Sequence, residues 1–219
     1  MSSHGPSLPV QSQVPATRLI ATLAIAGALA GFLIVSVFQW AQPRILRHQA
    51  EVLRGAINEV LGGPDHYETL FVIDGALTPD LAAGADSTAY ERVWLGYDAA
   101  GRTVGYAMVG QEPGFQDVIR LIFGYDPATG QLLGMKVLES KETPGLGDKI
   151  EKDTAFVGAF VGTAVPLHGV KANSGSGEPG QVDMITGATI SSRVVIGIIN
   201  HRLDNLGPLI ERYRAQGAN

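Results

Sequence analysis

DVIRLIFGYDPATGQLLGMKVLE, Asp117–Glu139, reads as two strands and the turn between them. Apolar residues dominate both arms, and Asp126-Pro127-Ala128-Thr129-Gly130 supplies turn residues with a glycine ready for a positive φ. A second hairpin precedes it, ERVWLGYD (Glu91–Asp98) and TVGYAMVG (Thr103–Gly110), joined through Asp98-Ala99-Ala100-Gly101. With TLFVID (Thr69–Asp74), these runs predict an antiparallel, twisted sheet between Thr69 and Leu138. Both hairpins enter their turns through a Gly-Tyr-Asp triplet, at 96–98 and 124–126, which reads as shared turn chemistry rather than an old duplication.

Helical patterns flank the sheet. In PRILRHQAEVLRGAINEVL, apolar residues fall at 45, 49, 52, 53, 56, 57, 60 and 61, the period of an amphipathic helix, and Gly62-Gly63-Pro64 ends it. Beyond the sheet, Ala172–Gly180 (ANSGSGEPG) reads as a flexible polar loop. Val194, Val195, Ile198, Ile199 and Leu203 then recur at helical spacing, and a break is expected near Asn205-Leu206-Gly207-Pro208. Helices at both ends of a run of strands give an α+β class, with one folded domain over residues 41–219.

The N-terminal part differs. Residues 1–18 are polar and rich in proline, a flexible tail. Leu19–Trp40 carries no formal charge over 22 residues, and at about 1.5 Å per residue a helix of that length crosses a hydrocarbon core of roughly 30 Å. Ala28-Leu29-Ala30 has the form of a signal-peptidase site, but cutting there would leave ten mostly apolar residues at the new terminus, so a transmembrane anchor over 19–40 is the preferred reading. Arg44, Arg47 and Arg54 follow the span while Arg18 precedes it, which tilts the folded domain toward the cytoplasm.

The formal charge is −5, and Arg18 is the one charged residue before Arg44, so the chain beyond Trp40 is net −6. Nucleic acid is therefore not an expected partner. There is no cysteine, which excludes disulfides, thiolate metal sites and cysteine nucleophiles. The five histidines, at 4, 48, 66, 168 and 201, have no metal-ligand spacing, and no P-loop, G-x-G-x-x-G or G-x-S-x-G is present.

Two segments hold the chemistry that remains. ESKETPGLGDKIE (Glu139–Glu151) follows a predicted strand; Pro144, Gly145 and Gly147 make a tight turn that exposes backbone, and Leu146 is an apolar residue in a polar loop. An ordinary turn with an incidental leucine has the same look. DMITGATISS (Asp183–Ser192) enters the last helix with Thr186, Thr189, Ser191 and Ser192, more hydroxyls than one cap needs. A glycine-containing turn into a helix N-terminus can cradle a phosphate. On residue chemistry alone, capping by Thr189 or Ser191 and phosphate binding both stand.

ETPGLG and D-x-x-T-G-A-T-x-S-S, in that order behind one membrane span, resemble the FMN-binding domain shared by the G subunit of the Rnf ion-translocating electron-transport complex and the C subunit of the sodium-pumping NADH:quinone reductase. The short chain is more similar to the Rnf G subunit. The resemblance implies FMN held by a phosphoester on Thr189, installed by a flavin transferase that uses FAD and reads Asp183, Thr186, Gly187 and Ala188. It further implies a phosphate cradle near Ile190, Ser191 and Ser192, with the flavin ring toward Glu142, Thr143, Gly145 and Leu146. The implied role is an electron relay between NADH and ferredoxin coupled to ion transport, with partner subunits A, B, C, D and E. The redox activity belongs to the assembled complex, not to this subunit alone. The implied location is the inner membrane with the flavin domain on the periplasmic face, against the charge bias and preferred over it. One departure is Ser140, where many relatives have a histidine two residues before the glutamate. The competing reading is a membrane-tethered binding or scaffold module, with TGATISS as a helix cap and ETPGLG as a docking turn; another anchored redox protein with the same domain is the third.

Overall fold

The computed structural model describes residues 15–217. Two compact units divide the chain, one ending at Ala50 and the other beginning at Glu51. The expected tail over 1–18 falls largely outside the described residues. Helix α1, Ala16–Val60, runs through Pro43 without a break.

The first unit is the N-terminal part of α1. It is long and apolar enough to cross a membrane, and none of that stretch is buried. Its two hydroxyls within the apolar run are satisfied by the helix itself: Thr22 and Ser36 donate to the carbonyls of Arg18 and Phe32 at 2.7 and 2.8 Å, as suits a helix in lipid. At the end of the apolar run the Arg44 guanidinium lies 4.2 Å from the Trp40 ring centroid, a pair suited to a membrane–water interface.

The second unit is built on a six-stranded sheet: β1 (His66–Ile73), β2 (Ala76–Thr78), β3 (Arg92–Tyr97), β4 (Thr103–Pro113), β5 (Val118–Asp126) and β6 (Gln131–Glu139). Its order is β2-β1-β3-β4-β5-β6, with every pairing antiparallel, as the alternating runs and short turns predict. Residue alternation then assigns two faces. Val93, Leu95, Tyr106, Met108, Leu121 and Phe123 join one apolar cluster; Trp94, Ala107 and Ile122, from the intervening positions, join another.

The end of α1 covers the second face through Ala56, Ile57, Val60 and Leu61. The approach is close enough to require glycine. A Cβ on Gly124 would collide with the Val60 carbonyl oxygen, and one on Gly96 would lie 2.8 Å from Leu61 Cδ1. These are the glycines of the two Gly-Tyr-Asp triplets, and the strand register shifts just after each of them. The aspartates open the turns: Asp98 Oδ1 accepts from the N–H groups of Ala100 and Arg102, and Asp126 Oδ1 from that of Ala128. Room for a helix, a bulge and a turn thus account for the repeated triplet.

Against the first face lie two short helices, α2 (Lys149–Lys152) and α3 (Thr154–Gly158), and the long helix α4 (Thr189–Ala215). The expected break near Asn205–Pro208 does not occur, and α4 continues through Pro208. Leu206 and Ile210, both buried, clamp the helix on either side of it, so packing outweighs the lost backbone hydrogen bond. A short parallel pair, β7 (His168–Val170) and β8 (Gln181–Asp183), is joined by the predicted polar loop. The result is an α+β domain: a twisted antiparallel sheet flanked by helices and preceded by one long apolar helix.

Candidate functional site

The turn into α4 is shaped by its small residues. Gly187 has φ +85°, a left-handed conformation that favours glycine, and Ala188 is buried beside it. Ser192 folds the turn onto the helix: its hydroxyl accepts from the Ile185 N–H at 3.1 Å and donates to the Ala188 carbonyl at 2.9 Å. Among the described residues no side chain caps α4, so of the two readings left open for Thr189 and Ser191, capping is not the one they fill. Thr189 is already the first helical residue, too far along to cap, and Ser191 donates instead to Glu142 Oε2 at 2.6 Å. The four hydroxyls therefore separate. Ser192 shapes the turn, Ser191 holds a carboxylate and Thr186 lies on a neighbouring cleft beside Asp183. Thr189 is exposed, and its hydroxyl has no hydrogen-bond partner among the described residues.

The first-turn backbone N–H groups of Thr189, Ile190 and Ser191 likewise find no acceptor among the described residues, whereas Ser192 N–H makes the first helical bond to Ala188. Three donors and the positive end of a 27-residue helix meet beside a free hydroxyl.

The ETPGLG loop reaches the same place by a different route. Gly145, at φ +77°, turns the chain so that the Leu146 N–H donates to the Thr143 carbonyl at 3.1 Å. The Ser140 hydroxyl accepts from the Glu142 N–H at 3.3 Å. The Glu142 carboxylate then ties three segments together. Oε2 accepts from Ser191 on α4, and Oε1 accepts from the backbone N–H groups of Gln116 and Asp117 in the β4–β5 turn, at 2.9 and 3.4 Å. Gln116 Oε1 also accepts from the Thr143 hydroxyl at 2.9 Å. Burial alone would raise the Glu142 carboxyl. The hydrogen bonds from Ser191, Gln116 and Asp117 outweigh it and hold the group below the usual glutamate range.

Between these segments opens a cleft of about 360 Å³, lined by Glu142, Thr143, Leu146, Gly187, Ala188, Thr189, Ile190 and Ser191, with Phe115 and Gly147. Of the residues expected at a site, Gly145, Thr186 and Ser192 are not in its wall. Phe115 was not anticipated, yet it shows the sign that marked Leu146, an apolar residue in a polar turn. Phe115, Leu146 and Ile190 are 67, 50 and 49 % exposed, three large apolar side chains left open around one cleft. Its apolar side chains can bound a flat ring, and the first turn of α4 beside them offers N–H donors to an anion. The volume lies at the lower end of the range for small-molecule sites. Among the described residues no group of side chains could hold a metal ion.

Residues 114–204 match the FMN-binding domain family. In fold, the chain is similar to the crystal structure of NqrC from Shewanella oneidensis, with a TM-score of 0.67 at 16 % identity, covering 78 % of this chain and 99 % of that one. In sequence it is 31 % identical over 175 residues to the G subunit of the ion-translocating oxidoreductase complex of Shewanella loihica, covering 78 % of this chain and 80 % of the relative. The G subunit of the ion-translocating oxidoreductase complex of Methanosarcina acetivorans is 30 % identical over 188 residues, 86 % of this chain and 93 % of that protein. At that identity over most of both chains, the protein belongs to the family of G subunits of ion-translocating oxidoreductase complexes.

Proposed function

We propose that this chain is the electron-relay subunit of an Rnf-type complex and carries FMN in the cleft between the Glu142–Gly147 loop and the start of α4, linked by a phosphoester to Thr189. The observation that carries the reading is the coincidence at one helix mouth of a free threonine hydroxyl, three unpaired backbone N–H groups and an apolar rim. Among the described residues no cationic side chain lines the cleft, so the helix end would supply the positive potential for the phosphate. Phe115, Leu146 and Ile190 would bound the ring, and Thr143 would offer it a hydroxyl. When bound, FMN supplies the redox chemistry, while the protein positions it and sets its surroundings. A covalent link would keep the flavin on a half-open site where a dissociable one would be lost by dilution.

In the same reading, residues 19–40 anchor the subunit in the inner membrane and residues 41–219 present the flavin on the periplasmic side. Electrons pass through it to and from other subunits, A to E, in a complex that joins NADH and ferredoxin to ion transport. A flavin transferase using FAD attaches the cofactor, reading Asp183 and Thr186 beside Gly187 and Ala188. The support for that role is the exposure of Asp183 and Thr186 on a cleft separate from the flavin's. The test is flavin fluorescence of the denatured full-length chain after coexpression with such a transferase. Wild type is expected to fluoresce and Thr189→Ala to be dark; a dark wild type would defeat the reading, and a fluorescent Thr189→Ala would defeat the assigned oxygen.

A further inference from the structure

Glu142 carries its charge in an unusual setting. The residue is 5 % exposed and lines the cleft, yet no lysine, arginine or histidine pairs with it among the described residues. Its charge is met by hydrogen-bond donors alone, Ser191 on one oxygen and two backbone N–H groups on the other. The 2.6 Å bond from Ser191 has the length of a hydroxyl donating to an ionised oxygen. Two glycines make room for the carboxylate. A Cβ on Gly114 would lie 2.5 Å from Oε1, and one on Gly147 would lie 2.6 Å from Oε2. The fold has thus reserved space and donors for an anion against the wall of the site.

Resting on the reading that FMN occupies this cleft, we propose that Glu142 is a positioning residue whose fixed negative charge lowers the reduction potential of the flavin. Each electron the flavin accepts is given up by a redox partner in the complex, which is oxidised by one electron, and no bond to Glu142 forms or breaks. The added negative charge enters a cleft that already holds a carboxylate, partly shielded from water, and is disfavoured there by repulsion. The ties to α4 and the β4–β5 turn keep that charge at a constant place.

The test is a redox titration of the flavin-loaded full-length chain in detergent, followed by flavin absorbance, with loading measured on denatured samples. Glu142→Gln keeps the shape and removes the charge; it is expected to shift the equilibrium toward reduced flavin by about tenfold per electron, an upward move of about 59 mV. Glu142→Asp keeps the charge and is expected to stay nearer to wild type. Ser191→Ala strips a donor from the carboxylate and is expected to move the potential downward. An unchanged or lowered potential in Glu142→Gln overturns the proposal, as does Glu142→Asp moving as far as Glu142→Gln. If Glu142→Gln retains no flavin, Ser191→Ala decides, a downward shift supporting the proposal and an unchanged or upward one overturning it. A wild type that loads no flavin overturns the FMN reading itself and the proposal with it.

Discussion

The molecule uses glycine to let something in at two places, and what is admitted differs. At Gly96 and Gly124 the sheet admits the end of α1, backbone and leucine against a flat apolar surface. At Gly114 and Gly147 two turns admit a carboxylate. The first contact is closed and apolar, and its purpose is met by packing. The second is polar, lies against an open cleft and leaves three apolar side chains uncovered. A close approach that buries hydrocarbon serves the fold, whereas one that encloses an anion beside unsatisfied donors is positioned for a ligand.

Substitutions should separate the two places. The largest effect on stability is expected from Gly124→Ala, because the obstacle is the Val60 carbonyl, a backbone atom that cannot rotate away. A loss of about 3 kcal/mol is expected, a fall in Tm of roughly 6–12 °C for a domain of this size, with flavin attachment to the folded fraction unchanged. Calorimetry of the loaded protein would show it, and near wild-type stability would mean that α1 does not seat on the sheet this closely.

Glu142→Ala should cost less stability, about 1–3 kcal/mol for leaving the Ser191 hydroxyl and two N–H groups without their acceptor, but should reduce flavin loading, which Gly124→Ala should not. Urea unfolding paired with flavin content per chain measures both.

The same carboxylate gives a pH dependence. Its pKa is lower in the folded protein than in the unfolded chain, so it binds fewer protons when folded. Its contribution to stability is present above the unfolded value and is lost as the pH falls through the folded one. Wild type should therefore lose stability toward acid more steeply than Glu142→Gln, with a constant difference between the two well above the unfolded glutamate value of about 4.3 and a shrinking one as the pH falls below it; a difference that stays constant into acid would show that the residue is not ionised in the fold. The smallest change in stability is expected from Phe115→Ala, within about 0.5 kcal/mol because the ring is exposed, together with a shifted flavin absorption spectrum. An unaltered spectrum would remove Phe115 from the cofactor's surroundings.

Much of this was legible in the sequence because the signals were local. Alternation with turns that open on Asp and close on Gly specified the hairpins, and the apolar period specified the start of α4 and the end of α1. ETPGLG and TGAT, forty residues apart, were legible as a pair only through their resemblance to a family. What escaped depended on contacts between distant segments. The hydroxyl of Ser191 has the look of a cap until Glu142, 49 positions away, claims it. Pro208 has the look of a break because its local penalty is visible in sequence, whereas the burial of Leu206 and Ile210 that overrides it is not. Gly96 and Gly124 pass for turn residues because nothing in the strands announces that α1 will lie across them. Phe115 is the instructive omission, since the criterion applied to Leu146 would have found it.

The attachment of the cofactor comes down to one oxygen atom. Peptide mapping by mass spectrometry of the full-length protein, purified after coexpression with a flavin transferase, tests it most directly. One FMN per chain is expected, in phosphoester linkage on the peptide containing TGATISS, with fragmentation placing it on Thr189. An unmodified peptide, or FMN on Thr186, Ser191 or any other residue, would contradict it.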